Sequence, residues 1–168
     1  MNVLIALLNT AMLLTASIAS ADEFPARKPG LWEVVTTAGG TNAPPNKSKL
    51  CIDKATDEAL QAFGTAATSK MCSKSQVRVS GKVVAVESTC QIGTSQQTSR
   101  STLTFSGDTA YHTQINAHFD PPFLGKTDSV TTQDAKWSGP CPADMRPGDI
   151  VTASGMRMNI RDMPGEKR

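Results

Sequence analysis

A segment bounded by two cysteines, Cys72 and Cys90, constrains the fold of this chain more than any other feature. Two valine-rich runs lie between these cysteines, and Gly81 is midway between Cys72 and Cys90. β-Branched residues on both sides of a glycine are typical of a β-hairpin. Such a hairpin brings Cys72 and Cys90 close together at its open end.

The same hairpin contains a conflict of register. A two-residue turn places the valines of both strands on one face, but it leaves the two cysteines on opposite faces. A turn centred on Gly81 aligns the cysteines but places the valines of the two strands on different faces, because a shift of one residue moves every side chain to the other face. A β-bulge with Gly81 in the left-handed region reconciles the two requirements, and we expect one there.

The first 21 residues determine the expected compartment. They combine an apolar stretch with small residues that end at Ala21, a pattern typical of a secretory signal peptide. Asn9 and Thr10 interrupt the stretch, which is therefore shorter than the roughly 20 apolar residues of a membrane-spanning helix. The sequence predicts export, cleavage after Ala21 and no transmembrane segment in the mature protein.

Export favours disulfides for the four cysteines, because the compartment is oxidising. No C-x-x-C pair is present, which argues against structural zinc and thioredoxin-like redox chemistry. If the strands alternate up and down, Cys72 and Cys90 lie at one end of the sheet and Cys141 at the other, and we favour pairing Cys72 with Cys90 and Cys51 with Cys141. A bridge from Cys51 to Cys72 is the main alternative, and one from Cys90 to Cys141 is disfavoured by distance.

The rest of the pattern predicts a mainly β fold with one helix. The helix is expected over residues 53–63, with Asp53 as N-cap and Gly64 after its end. The segment 127–137 is polar and is expected at a sheet edge. Beside the hairpin, strands are predicted at 31–37, 49–52, 99–105, 110–119, 127–137 and 150–152. We expect an antiparallel, barrel-like or strongly curved sheet of about seven strands, with one short helix and two disulfides.

This interpretation divides the chain into three parts. Residues 1–21 form the signal peptide, and residues 22–144 form the antiparallel β domain. Residues 145–168 form a tail rich in methionine, proline and glycine, and residues 166–168 are expected to be disordered. The formal net charge is only +2, and aromatic residues make up 5% of the chain, which together argue against nucleic-acid binding.

Several of these features together resemble one bacterial family. Residues 28–34 read K-P-G-L-W-E-V, Cys-Ile-Asp precedes the helix, and residues 137–145 read W-S-G-P-C-P-A-D-M. With the Cys-to-Cys hairpin, they resemble the family catalogued as domain of unknown function 3617, over nearly all of the mature chain. The resemblance implies a small exported protein of Gram-negative bacteria, and therefore the periplasm. It implies no catalytic or ligand residues, and the extended tail after Cys141 lies outside it.

The inward faces of the predicted strands carry the residues most suited to binding. Small barrels either fill with side chains or hold one ligand. We therefore expect a non-enzymatic periplasmic protein that binds a small apolar ligand or an envelope protein partner, and we expect no cofactor. The residues expected to line the ligand site are Trp32, Leu103, Phe105, Tyr111, Ile115 and Phe119.

The alternative function is copper handling through the tail. Met156 and Met158 are two residues apart, with Met145 and Met163 nearby, and thioethers select Cu(I). The same methionines also suit a structural role as flexible gap-fillers.

No catalytic residue is predicted. His112 and His118 share a strand face, but six residues of extended chain separate them by roughly 20 Å, too far to share one metal ion. The chain has no G-x-S-x-G motif, and neither histidine has an evident acidic partner.

Overall fold

The computed structural model describes residues 23–163, so the predicted signal peptide and the predicted disorder of residues 166–168 lie outside the described residues. Helix α1 spans Lys54–Met71, and a 3₁₀ turn spans Ile160–Asp162. No helix within the described residues is long and apolar enough to cross a membrane. The strands are β1 Gly30–Ala38, β2 Asn46–Ile52, β3 Cys72–Ser80, β4 Val83–Ile92, β5 Ser95–Ser106, β6 Ala110–Phe123, β7 Lys126–Gly139, β8 Asp149–Val151 and β9 Arg157–Asn159.

All nine strands belong to one antiparallel sheet, in the order β3-β4-β5-β6-β7-β1-β2-β8-β9. The mainly β fold with one helix and two disulfides is confirmed. The expected barrel-like or strongly curved sheet of about seven strands is matched only in part: the described sheet has nine strands and is not closed into a barrel, with β3 and β9 at its edges. The chain after Cys141 adds β8 to the outer side of β2, so that side of β2 is already paired. The tail is therefore continuous with the sheet.

The prediction that the segment 127–137 lies at an edge was also wrong. This segment forms β7, which is paired on both sides, with β6 and with β1. Its charged residues Asp134 and Lys136 are exposed and lie opposite His112 and Glu33 on the neighbouring strands. The polar composition of β7 therefore reflects a solvated face of a central strand.

Helix α1 begins where the sequence predicts but continues well past Gly64. Asp53 caps it: the Thr56 backbone N–H donates to Asp53 Oδ1 over 2.8 Å, and the Asp53 N–H donates to Thr56 Oγ1 over 2.9 Å. A glycine inside a helix costs only about 1 kcal/mol relative to alanine, which packing at both ends of the helix offsets. Gly64 is therefore an interior residue of α1 and not its end.

The helix crosses one face of the sheet. It contacts β2 and the 3₁₀ turn, and it also contacts β3 and β4. Its 18 residues correspond to about 27 Å, and five strand spacings from β2 to β4 correspond to about 24 Å. α1 is thus long enough to span the sheet between these contacts.

The main core lies where β1, β2 and β7 meet. Its buried residues are Trp32, Val34, Leu50, Ile52 and Ala135, and the partly buried residues packed on them are Leu60, Tyr111, Trp137 and Ile150. Because Leu60 belongs to α1, the helix packs on this core through its first half.

The two disulfides join Cys51 to Cys141 and Cys72 to Cys90. This is the pairing that the sequence favours. The first disulfide closes a separation of 90 residues and ties β2 to the segment after β7, whereas the second closes 18 residues at the open end of the β3–β4 hairpin.

The hairpin satisfies both of its register requirements, but not where we expected. Ser80 pairs with Val83 across a two-residue turn, in which Gly81 has φ = 54°. The register then shifts between Cys72 and Lys74, so that Ser73 is the extra residue and Cys72 faces Cys90. The β-bulge expected at Gly81 therefore lies at the opposite end of β3, and the left-handed glycine serves the turn.

Candidate functional site

A cleft of about 290 Å³ lies between α1 and the middle strands of the sheet. Its walls come from three parts of the chain: the lead segment before β1, one face of α1, and one face of strands β3 to β7. The lining residues are Phe24, Pro25, Arg27, Leu60, Gln61, Gly64, Thr65, Ser75, Val77, Val86, Leu103, Phe105, Tyr111 and Gln133.

The apolar floor of the cleft follows from strand alternation. Val77 pairs with Val86 across β3 and β4, and Leu103 and Phe105 follow on the same face of β5. Alternate residues of a strand share a face. Leu60 comes from the helix above, so apolar side chains meet across the cleft.

A buried ion pair between Arg27 and Asp57 lies beside the cleft, which Arg27 lines. Arg27 Nε donates to Asp57 Oδ1 over 2.7 Å, and the Arg27 backbone N–H donates to Asp57 Oδ2 over 3.3 Å. The two side chains are only 12% and 6% exposed. The Arg27 guanidinium also lies 5.9 Å from the ring centroid of Trp32 and 5.7 Å from that of Tyr111. Arg27 therefore joins the lead segment to both α1 and the aromatic core.

Two tryptophans hold the rest of the lead segment. Trp32 Nε1 donates to the Lys28 carbonyl over 2.9 Å, and Trp137 Nε1 donates to the Pro29 carbonyl over 2.9 Å. The Lys28 ammonium lies 3.9 Å from the ring centroid of Trp137. These contacts fix residues 27–29, so the lead segment forms a wall of the cleft.

A chain of hydrogen bonds lies at the β6–β7 side of the cleft. The Tyr111 hydroxyl donates to Gln133 Oε1 over 3.4 Å, and Gln133 Nε2 donates to Thr36 Oγ1 over 3.3 Å. Burial raises the pKa of Tyr111 above its usual value, against the opposing charge of Arg27, so this phenol stays protonated at neutral pH. Beside them, the buried Thr113 hydroxyl has no hydrogen-bond partner within the described part of the chain.

The structure separates the six residues that the sequence suggested as ligand-lining. Leu103, Phe105 and Tyr111 line the cleft. Trp32 is fully buried in the core, with its ring centroid 5.8 Å from that of Tyr111. Ile115 and Phe119 lie farther along β6, outside the cleft lining. Phe119 stacks on Phe123 instead, with their centroids 5.6 Å apart.

Other lining residues were missed from the sequence. Val77 and Val86 could have been found, because the valine pattern places both on one face of the hairpin. Phe24 and Leu60 gave no such signal, because their position depends on where the lead segment and α1 cross the sheet.

The histidines do have acidic partners, which corrects the sequence analysis. His112 Nδ1 lies 2.8 Å from Asp134 Oδ1, and His118 Nδ1 lies 2.9 Å from Asp128 Oδ1. The hydrogen bond with His118 lowers the pKa of Asp128. Both pairs are exposed, and within residues 23–163 no three His, Cys, Asp or Glu side chains form a metal-binding group.

Two larger hollows differ in character from the cleft. One, of about 970 Å³, crosses strands β3 to β7 and is lined by polar or charged residues apart from Ala117 and Val130. The other, of about 740 Å³, lies at the C-terminal end of the described chain and is lined in part by Met145, Met158 and Met163. Met156 is exposed and does not line it.

Comparison with known proteins identifies a family for this chain. No curated protein and no solved structure matches it. The model of a family described as Protein of unknown function (DUF3617) matches residues 27–141. The matched region runs from Arg27 through α1 and β7 to Cys141 and contains both disulfides. The chain therefore belongs to the DUF3617 family.

Proposed function

We propose that this protein is a non-enzymatic periplasmic binding protein that holds a small, mainly apolar ligand in the cleft beneath α1. The observation that carries the proposal is the composition of the cleft. Apolar side chains from the lead segment, the helix and the sheet line the cleft, with a smaller number of polar side chains among them. Ligand sites in proteins typically combine an apolar lining with a small number of placed polar groups.

The volume of the cleft limits the size of the ligand. About 290 Å³ corresponds to roughly ten water-sized volumes of about 30 Å³ each. A molecule of about 10 to 15 non-hydrogen atoms fits this space, for example a ten-carbon chain with one polar end. At about 0.5 kcal/mol per atom, such a ligand would bind with a Kd of tens of micromolar, to order of magnitude.

The polar side chains of the cleft indicate which polar group the ligand carries. Tyr111 and Gln133 offer hydrogen-bonding groups that are engaged only over long distances of 3.3 to 3.4 Å. The positive charge of Arg27 is already matched by Asp57. An anionic head group would therefore find no spare cation there, and we expect a neutral alcohol to bind better than the corresponding carboxylate.

The location in the periplasm is part of the same proposal. It is supported by the predicted signal peptide and by two disulfides, which persist in oxidising compartments. The open edges β3 and β9 also leave room for a protein partner, which is the other outcome of the experiment below.

Native mass spectrometry of the protein purified from periplasm, followed by titration with 1-decanol and decanoate, tests the proposal. The expected result is a retained or added mass of one small molecule for each chain, with decanol bound more tightly. The absence of any bound molecule, even at the solubility limit of decanol, would defeat the ligand proposal, and a stoichiometric second polypeptide would favour partner binding.

Two valines of the same hairpin offer a matched pair of variants. Val77 lines the cleft and is 44% exposed, whereas Val83 is 37% exposed and does not line it. Val77→Trp should fill the cleft and abolish decanol binding, and Val83→Trp should leave it unchanged. Equal binding by both variants would place the ligand elsewhere.

A further inference from the structure

We infer that Met145, Met158 and Met163 form a second binding site, which takes one soft monovalent cation such as Cu(I) or its analogue Ag(I). This site is separate from the cleft beneath α1. It goes beyond the proposed ligand binding and does not depend on it.

The fold brings these three methionines to one hollow. Met145 is buried in the turn before β8, and Met158 lies in β9, which pairs with β8. The 3₁₀ turn then reverses the chain, and the Met163 N–H donates to the Ile160 carbonyl over 3.2 Å. Methionines from three consecutive parts of the C-terminal segment therefore line the same space of about 740 Å³.

The chemistry of the available donors favours a soft ion. Thioether sulfur binds Cu(I) in preference to hard cations such as Mg²⁺ or Ca²⁺. All four cysteines are in disulfides, so no thiol in the described chain competes for a soft metal. Within the described residues, methionine thioethers are thus the soft sulfur donors that remain.

The charges around the hollow also favour a cation of charge +1. Its lining contains three carboxylates, Asp144, Asp149 and Asp162, and two guanidinium groups, Arg146 and Arg157, which leaves a net charge of −1. The arginines are held in ion pairs: Arg157 with Asp144 at 3.1 Å, and Arg146 with Asp162 at 3.0 Å. A monovalent cation therefore neutralises the group.

The structure changes which methionines are expected to bind. The sequence pattern suggests Met156 with Met158, but Met156 is exposed outside the hollow. Met71, at the end of α1, is a second exposed methionine. These two residues are matched controls, because each is a thioether on the same protein that the proposal does not use.

The experiment is a titration of the mature, disulfide-bonded protein with silver nitrate in chloride-free buffer, followed by calorimetry and native mass spectrometry. The expected result is one Ag(I) per chain. Met145→Leu, Met158→Leu and Met163→Leu should each raise the Kd at least tenfold, whereas Met71→Leu and Met156→Leu should leave it unchanged. The affinity for Cu(I) is then measured in competition with a Cu(I) chelator. The same variants should lose affinity if Cu(I) occupies the same site.

Several outcomes would overturn the inference. These are no stoichiometric Ag(I) binding, an equal loss of affinity in the two control variants, or unchanged affinity when Met158 is replaced. Urea unfolding of each variant shows whether it is folded, and Met158→Leu supplies the test if Met145→Leu, the buried position, fails to fold. Decanol binding should persist in Met158→Leu, so a failure of either proposal can be told from a failure of the other.

Discussion

Replacing Asp57 by asparagine should leave the Arg27 guanidinium buried without an anion. The wild-type pair is enclosed by α1, the lead segment and the rings of Trp32 and Tyr111, with Arg27 Nε 2.7 Å from Asp57 Oδ1. At an effective dielectric constant of about 20 and about 4 Å between charge centres, the attraction is about 4 kcal/mol. Breaking a buried pair by removing one partner costs about 3 to 5 kcal/mol.

We therefore expect Asp57→Asn to lower the free energy of unfolding by about 3 kcal/mol. Replacing both partners by apolar residues, Arg27→Met with Asp57→Leu, removes the unpaired charge and should restore stability to within about 1 kcal/mol of wild type. The assay is urea unfolding with the disulfides intact, followed by tryptophan fluorescence. The variants are compared with wild type on the condition that m, the slope of the unfolding free energy against urea concentration, is unchanged.

The control lies on the same helix. Lys54 and Glu58 form an ion pair with exposures of 85% and 59%. Glu58→Gln should leave the free energy of unfolding almost unchanged, because exposed pairs contribute little. A loss below about 1 kcal/mol in Asp57→Asn, or a double variant no more stable than the single one, would refute the reasoning from buried charge.

Three further predictions use the same unfolding assay. Thr113→Val should raise stability by about 1 kcal/mol, because it removes a buried hydroxyl that has no partner in the described residues; a loss of stability would indicate an unseen partner. Gly64→Ala should add about 0.5 to 1 kcal/mol of helix stability, since a methyl group there meets nothing within 4 Å in the described residues beyond the adjacent helix backbone; no gain would argue against a regular helix at this point. For Asp149, burial raises the pKa, but hydrogen bonds from Asn159 and Arg146 and the charges of Arg157 and Arg146 outweigh it, and the net pKa is lowered. Its folded value lies below the unfolded value of about 3.9, so its contribution is present above that pH and is lost as the pH falls through the folded value. The stability difference between wild type and Asp149→Asn should therefore shrink between pH 7 and pH 3, and an equal difference at both would contradict this.

Local features of the fold could be predicted from the sequence. Cys72, Gly81 and Cys90 define a hairpin because glycine permits the turn and the spacing is symmetric. The N-cap at Asp53 is similarly local, since its partner Thr56 is three residues away. Strand alternation placed Leu103 and Phe105 on the inner face, where they line the cleft.

Features that depend on distant pairing could not be predicted in the same way. The acidic partners of His112 and His118 lie on β7, and their register is visible only once β6 and β7 are aligned. The bulge at Ser73 lets the cysteines face each other while the valines of both strands stay on one face. The sequence alone does not show where along the strand such a bulge lies. Closure of the sheet was misjudged because β8 comes from the tail and pairs with β2.

Chemical-shift mapping with ¹⁵N-labelled protein and 1-decanol is the most direct measurement of the central claim. Saturable shifts should cluster at the amides of Val77, Val86, Leu103 and Gln133, and should be lost in Val77→Trp but kept in Val83→Trp. Shifts spread evenly over the outer face of the sheet, or no shifts at the solubility limit of decanol, would contradict a ligand site beneath α1.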